Sequence, residues 1–78
     1  GGMMMKKIKS VRKLCFLCME EHDVDIVEIM DNEIYKNKEV TFPAIYEYCF
    51  NTNEFLENEE MIKNNSMSMK DAYLKSIK

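Results

Sequence analysis

Seventy-eight residues exclude a multidomain enzyme and leave no room for a nucleotide-binding βαβαβ sheet or a barrel. Hydrophobic residues at 46% and charged residues at 32% give a folding chain rather than a disordered one, and no apolar run of about 18 residues is present to span a membrane as a helix. The net charge of −3 is uneven: residues 1–18 carry five bases and no acid, residues 19–61 thirteen acids against Lys36 and Lys38, and residues 62–78 four bases against Asp71.

Gly1-Gly2 before Met3 reads as the remnant of a tag, and Met3 to Ser10 as a basic, frayed N-terminus. Residues 1–10 are therefore set apart from a β domain over 11–64 and a C-terminal helix or linker over 65–78. Val11 to Phe16 predicts a short strand that leads into a turn at Cys15-Phe-Leu-Cys18. From Val24 the pattern alternates. Val24, Ile26, Glu28 and Met30 share one face, and Asp25, Val27 and Ile29 the other. Asp31-Asn32 is a candidate break, and Asn37-Lys38 a hairpin turn in which asparagine tolerates positive φ.

Val40, Phe42, Ala44, Tyr46, Tyr48 and Phe50 then alternate onto one face of a long strand. Pro43 cannot donate to a ladder, so its stretch belongs on an edge, where a partner strand can add. Asn51-Thr52-Asn53 is a turn, and Glu54 to Leu56 a further short strand or loop. A short helix follows over Glu57 to Lys63, its acids favoured by the macrodipole. Asn64-Asn65-Ser66 ends it. Ser66 or Ser68 caps a second helix whose apolar residues Met69, Ala72, Tyr73 and Ile77 share a face. The fold class is thus α+β: a small, zinc-ribbon-like antiparallel hairpin or meander, then one or two short helices.

Chemistry concentrates in the cysteines. Two thiolates at Cys15-x-x-Cys18 reach one tetrahedral metal ion from a tight turn. Cys49 lies at the end of the long strand. A second Cys-x-x-Cys would need its partner at position 52, which is Thr52, a poor ligand. His22 completes the set Cys15, Cys18, His22 and Cys49, with Asp23, Glu54 or water as weaker substitutes. The metal is zinc by this donor set. The competing reading makes the three cysteines small buried hydrophobes. Hydrolytic chemistry lacks support, with one histidine and no phosphate-binding loop, so the chain reads as a non-enzyme. An odd cysteine count without a signal-peptide core suits a reducing, cytoplasmic setting.

The segments Leu14-Cys-Phe-Leu-Cys-Met-Glu-Glu-His-Asp-Val24, Val40-Thr-Phe-Pro-Ala-Ile-Tyr-Glu-Tyr-Cys-Phe50 and Lys70-Asp-Ala-Tyr73 resemble the N-terminal domain of MqsA/YgiT-type zinc-finger antitoxins and related small bacterial proteins. The likeness covers about residues 11–75. It implies a structural zinc, with Cys15, Cys18 and Cys49 at three ligand positions and Thr52 departing from the fourth. It also implies a module that binds a toxin protein. The family's following helix-turn-helix is not within these residues, so operator binding is not implied.

The function expected is a non-enzymatic protein-interaction module. Its acidic centre suits a basic, toxin-like protein rather than nucleic acid, whose affinity rests on neutralised phosphates. A homodimer remains compatible. The alternatives are a nucleic-acid-binding zinc finger using Lys6 to Lys13 and Lys63 to Lys78, and a thiol redox or metal-handling protein using Cys15 and Cys18.

Overall fold

The computed structural model describes residues 5–77. It is α+β: four antiparallel strands in the order β1-β2-β3-β4, then one helix. The strands are β1 Met5–Cys15, β2 Glu20–Tyr35, β3 Lys38–Cys49 and β4 Glu54–Leu56, and the helix α1 is Glu59–Ser76. Every strand pairs with its sequence neighbours, as a meander does. No helix among the described residues is long and apolar enough to cross a membrane.

The long strands follow from the alternation. Val24 stands opposite Val11 on β1, and Ile29 opposite Ala44 on β3. Successive side chains leave opposite faces. Val27, Ile29, Val40, Phe42 and Ala44 therefore share a first face, while Val24, Ile45, Glu47 and Cys49 share the second. Both ends are anchored by buried residues, Val40, Phe42 and Ala44 at one end and Cys15, Val24 and Cys49 at the other. The expected aromatic stripe divides accordingly. Val40, Phe42 and Ala44 are buried, Tyr46 and Tyr48 half-buried, and Phe50 lies exposed in the following turn.

Three boundaries differ from expectation. The N-terminal stretch is not frayed from Met5 onward: Lys6 to Ser10 pair with β2 through a bulge at Ile8. Asp31-Asn32 does not break β2, because Phe42 and Thr41 pair across from them. The reversal sits at Lys36-Asn37, with φ of 52° and 65°. That is the doubly left-handed, two-residue turn whose twist matches a hairpin. Lys36 Nζ lies 5.5 Å from the Tyr35 ring centroid and 5.7 Å from that of Tyr73, tying this tip to the helix.

The largest difference is the helix. Asn64-Asn65-Ser66 does not end it, and Ser66 and Ser68 cap nothing; α1 runs through all of them. Its cap is Asn58, whose Oδ1 accepts from the Met61 N–H at 2.9 Å. Glu59 and Glu60 occupy the first turn, where negative charge is favoured.

Asn65, 5% exposed, is the reason for continuity. Its Oδ1 accepts from the Ile45 N–H at 2.8 Å, and its Nδ2 donates to the Ile45 carbonyl at 2.9 Å and to Glu57 Oε2 at 2.7 Å. One amide side chain thus replaces a strand on the outer edge of β3. Helix α1 crosses that edge obliquely. Asn58 reaches Glu47 on the second face, Asn65 grips the edge, and Met69, Ala72 and Tyr73 pack over Val40, Phe42 and Ala44 on the first.

Ile45 directs its peptide groups outward, so Pro43, two residues away, does the same and sacrifices no ladder bond. Its edge placement is as expected. From Ile45 to Cys49 that edge is taken by α1 and β4, which leaves no room for an added strand along that stretch.

Glu47, 3% exposed, is held from both sides. Lys13 Nζ lies 3.0 Å from Oε1, and Asn58 Nδ2 donates to Oε2 at 2.9 Å. A buried carboxylate needs such partners. This link ties β1, β3 and the start of α1 together.

Candidate metal centre

The two turns at one end of the sheet bring the expected donors together. Cys15 is the last residue of β1, Cys18 lies in the four-residue turn, His22 is the third residue of β2 and Cys49 closes β3. Register does the rest, since Cys15 pairs with Glu20 and Cys49 faces the β4 residue Glu54. The ligand atoms of Cys15, Cys18, His22 and Cys49 all lie within 4.8 Å of one another. All four expected site residues therefore converge, and no disulfide links the cysteines. Asp23 and Glu54, the weaker substitutes, are not in the cluster.

The first turn is closed by the Met19 N–H donating to the Cys15 carbonyl at 2.7 Å. Met19 has φ of 62°, which redirects the chain into β2. A side chain in that region carries a steric penalty that glycine lacks. Met19→Gly is therefore expected to stabilise the domain by about 0.5–1 kcal/mol, the penalty relieved less the entropy of glycine. Denaturant midpoints measure this; a lower midpoint would mean that the exposed Met19 side chain makes a stabilising contact.

His22 is oriented for ligation. Its Nδ1–H donates to the Asp23 carbonyl at 2.8 Å, which keeps the proton on Nδ1 and leaves the Nε2 lone pair free. That Nε2 sits 3.6 Å from Cys49 Sγ. The bond to Asp23 is also the main cause that raises the imidazole pKa; proximity to Cys49 and Cys18 adds to it, against desolvation. The Phe50 ring meets the imidazole at 5.1 Å and 73°, fixing its plane.

The sulfurs are surrounded by donors. Asn51 Nδ2 donates to Cys18 Sγ at 3.6 Å. The Cys49 thiol is lowered from 9.0 to about 6, first by the Thr52 hydroxyl, then by the Thr52 and Asn51 main-chain N–H groups and by Cys15, against the opposing effect of burial. Thr52 Oγ1 is itself buried and makes no conventional hydrogen bond. A hydroxyl in that position suits a thiolate beside it, so Thr52 supports a ligand rather than being one. Sequence reasoning noted Thr52 only as a missing donor and did not assign Asn51 a role. The turn residues following a ligand cysteine were the signal for both.

The arrangement can hold one metal ion with three sulfurs and one nitrogen. Soft thiolates and an imidazole in a four-donor set fit zinc, among other thiophilic ions. No family model, curated protein or solved structure matches the chain.

Proposed function

We propose that the chain is a non-enzymatic protein-interaction module whose turn-bearing end is pinned by a structural zinc ion on Cys15, Cys18, His22 and Cys49. The carrying observation is the convergence of all four ligand atoms within 4.8 Å. The tautomer set by the Asp23 carbonyl and the donors around the sulfurs support the same reading. Four protein donors leave no open position, which is the pattern of a structural rather than a catalytic zinc. The likeness to the toxin-binding domain of zinc-finger antitoxins favours a role in binding a protein.

The alternative of a basic nucleic-acid-binding face is weakened by pairing. Lys7 meets Asp25 at 3.5 Å, Arg12 meets Glu21 at 3.3 Å and Asp23 at 3.8 Å, and Lys13 meets Glu47. Elemental mass spectrometry on protein purified without a chelating column is expected to find one zinc per chain. Affinity capture from the native host is expected to recover a stoichiometric protein. A folded, metal-free chain would remove the zinc, and capture of nucleic acid alone would remove the module.

Ligand protonation sets how acid releases the metal. A group whose pKa is lowered in the fold keeps its charged form until the pH falls through the lowered value. In the metal-free chain the Cys49 thiol is lowered to about 6, so protons compete weakly with a metal for it. Thr52→Val removes the first cause of that lowering, so the release midpoint is expected at higher pH. A chromophoric zinc indicator read during acid titration measures it, and an unshifted midpoint would deny Thr52 this role.

A further inference from the structure

The two edges of the sheet are treated differently. The outer edge of β3 is closed from Ile45 to Cys49, where Ile45 has Asn65 and Glu47 and Cys49 have β4, and Pro43 removes a donor just before it. The outer edge of β1 pairs with nothing among the described residues.

Peptide directions on β1 follow from the register. Ile45 points away from β2, so its partner Glu28 points toward β1. Ile26 and Val24 share that direction, and so do their partners Lys9 and Val11, which point inward. Ser10, Arg12 and Leu14 therefore direct their N–H and C=O groups outward. The bulge at Ile8 bounds this row at one end and the Cys15 turn at the other.

The side chains along the row select a partner. Lys6 and Lys9 make no ion pair among the described residues. Val11 and Leu14 are 37% and 46% exposed, on opposite faces. A second copy pairing antiparallel about Val11 would set Lys9 against Lys13, and like charges directly opposite are destabilising. A basic partner, expected from the acidic centre, meets the same repulsion and would have to use another surface. The inner edge of β1 gives the positive pattern, because its neighbour β2 is an acidic and aliphatic strand.

We infer that Lys9 to Leu14 of β1 is a strand-addition site for an acidic, aliphatic extended segment of a partner protein. Backbone bonds to Ser10, Arg12 and Leu14 supply the pairing, Lys6 and Lys9 the charge selection, and Val11 and Leu14 the apolar contacts. The inference rests on the reading of the chain as an interaction module and names its surface and partner class.

The probe is a synthetic peptide with the sequence of residues 22–29, the acidic strand that β1 already pairs on its inner side. It is titrated into the zinc-loaded, nitrogen-15-labelled chain of 78 residues. Amide shifts and slowed hydrogen exchange are expected at Ser10, Arg12 and Leu14, with Lys9 and Val11 protected throughout. Ser10→Pro removes one outward donor and no inner-ladder bond, so affinity is expected to fall about tenfold with the amide spectrum otherwise folded. The double variant Lys6→Glu, Lys9→Glu keeps the backbone row and is expected to weaken binding at least as much. Binding by both variants as tight as by the unsubstituted chain would overturn the site, as would a preference for a peptide with lysine at every acid. Preference for a single-stranded oligonucleotide would overturn it too. Shifts confined to α1 or the zinc turns would remove this edge and leave the module intact. No shift anywhere at about 1 mM peptide would remove the edge site.

Discussion

Chelation of the metal is expected to abolish the cooperative thermal unfolding transition. The end of the sheet that holds the cysteines has little else to sustain it. Among the described residues Val24 is the one buried aliphatic residue in its cluster, with Leu17 and Cys18 the partly buried hydrophobics packed against it. A structural zinc contributes about 10–16 kcal/mol in small domains, against a whole-domain stability of about 5–15 kcal/mol. Without an ion, contacts among three thiols and an imidazole would have to hold the two turns together. Circular dichroism melts with and without a strong zinc chelator give the test. Cys49→Ser is expected to behave like the chelated protein, since it removes a buried ligand. His22→Ala keeps three thiolates and is expected to lower the midpoint while preserving a transition. Identical melts with and without chelator would dismiss the structural ion and leave the cysteines as packing residues.

Asn65→Ala is expected to cost about 3 kcal/mol, because it strands both peptide groups of Ile45 and one oxygen of Glu57 in a part-buried setting. At about 4–8 °C per kcal/mol for a domain of this size, the melting temperature falls by roughly 12–24 °C. Its neighbour is the control. Asn64 is exposed on the same helix, and Asn64→Ala is expected to stay within about 0.5 kcal/mol of the parent. Asn65→Asp retains the acceptor for the Ile45 N–H but places a carboxylate against Glu57, so it is expected to resemble the alanine variant. Equal melting temperatures for the two alanine variants would show that water replaces the amide without loss.

The strands were legible where one face is buried. The alternation around Val24 to Ile29 and Val40 to Tyr48 located β2 and most of β3, and Pro43 identified its edge. The first half of β1 was not legible. Lys6 to Ser10 are all exposed, so burial leaves no periodic signal in them. The helix was misread at Asn64-Asn65-Ser66 because these residues are weak helix formers that compete for backbone bonds. Asn65 spends that capacity on β3 instead, a tertiary bond that local propensity does not contain. The convergence of Cys15, Cys18, His22 and Cys49 was legible from their spacing. The surroundings of these four were not, because the Asp23 carbonyl, the Thr52 hydroxyl and the Asn51 amide act through positions that only the turns define.

The meander order has a kinetic consequence. Each strand finds its partner across a short reversal, so assembly proceeds by zippering outward from Lys36-Asn37 without long loops to close. The four ligands lie at the far end of that zipper, with Cys49 separated from Cys18 by the whole β2–β3 hairpin. Cys15, Cys18 and His22 lie close in sequence across the first turn, and Cys49 joins them only after the hairpin has formed. An ion that needs all four donors would be absent from the barrier to folding and present in the finished domain, acting as a lock on unfolding rather than as a nucleus. The lifetime of the folded chain would then be set by how slowly that ion leaves.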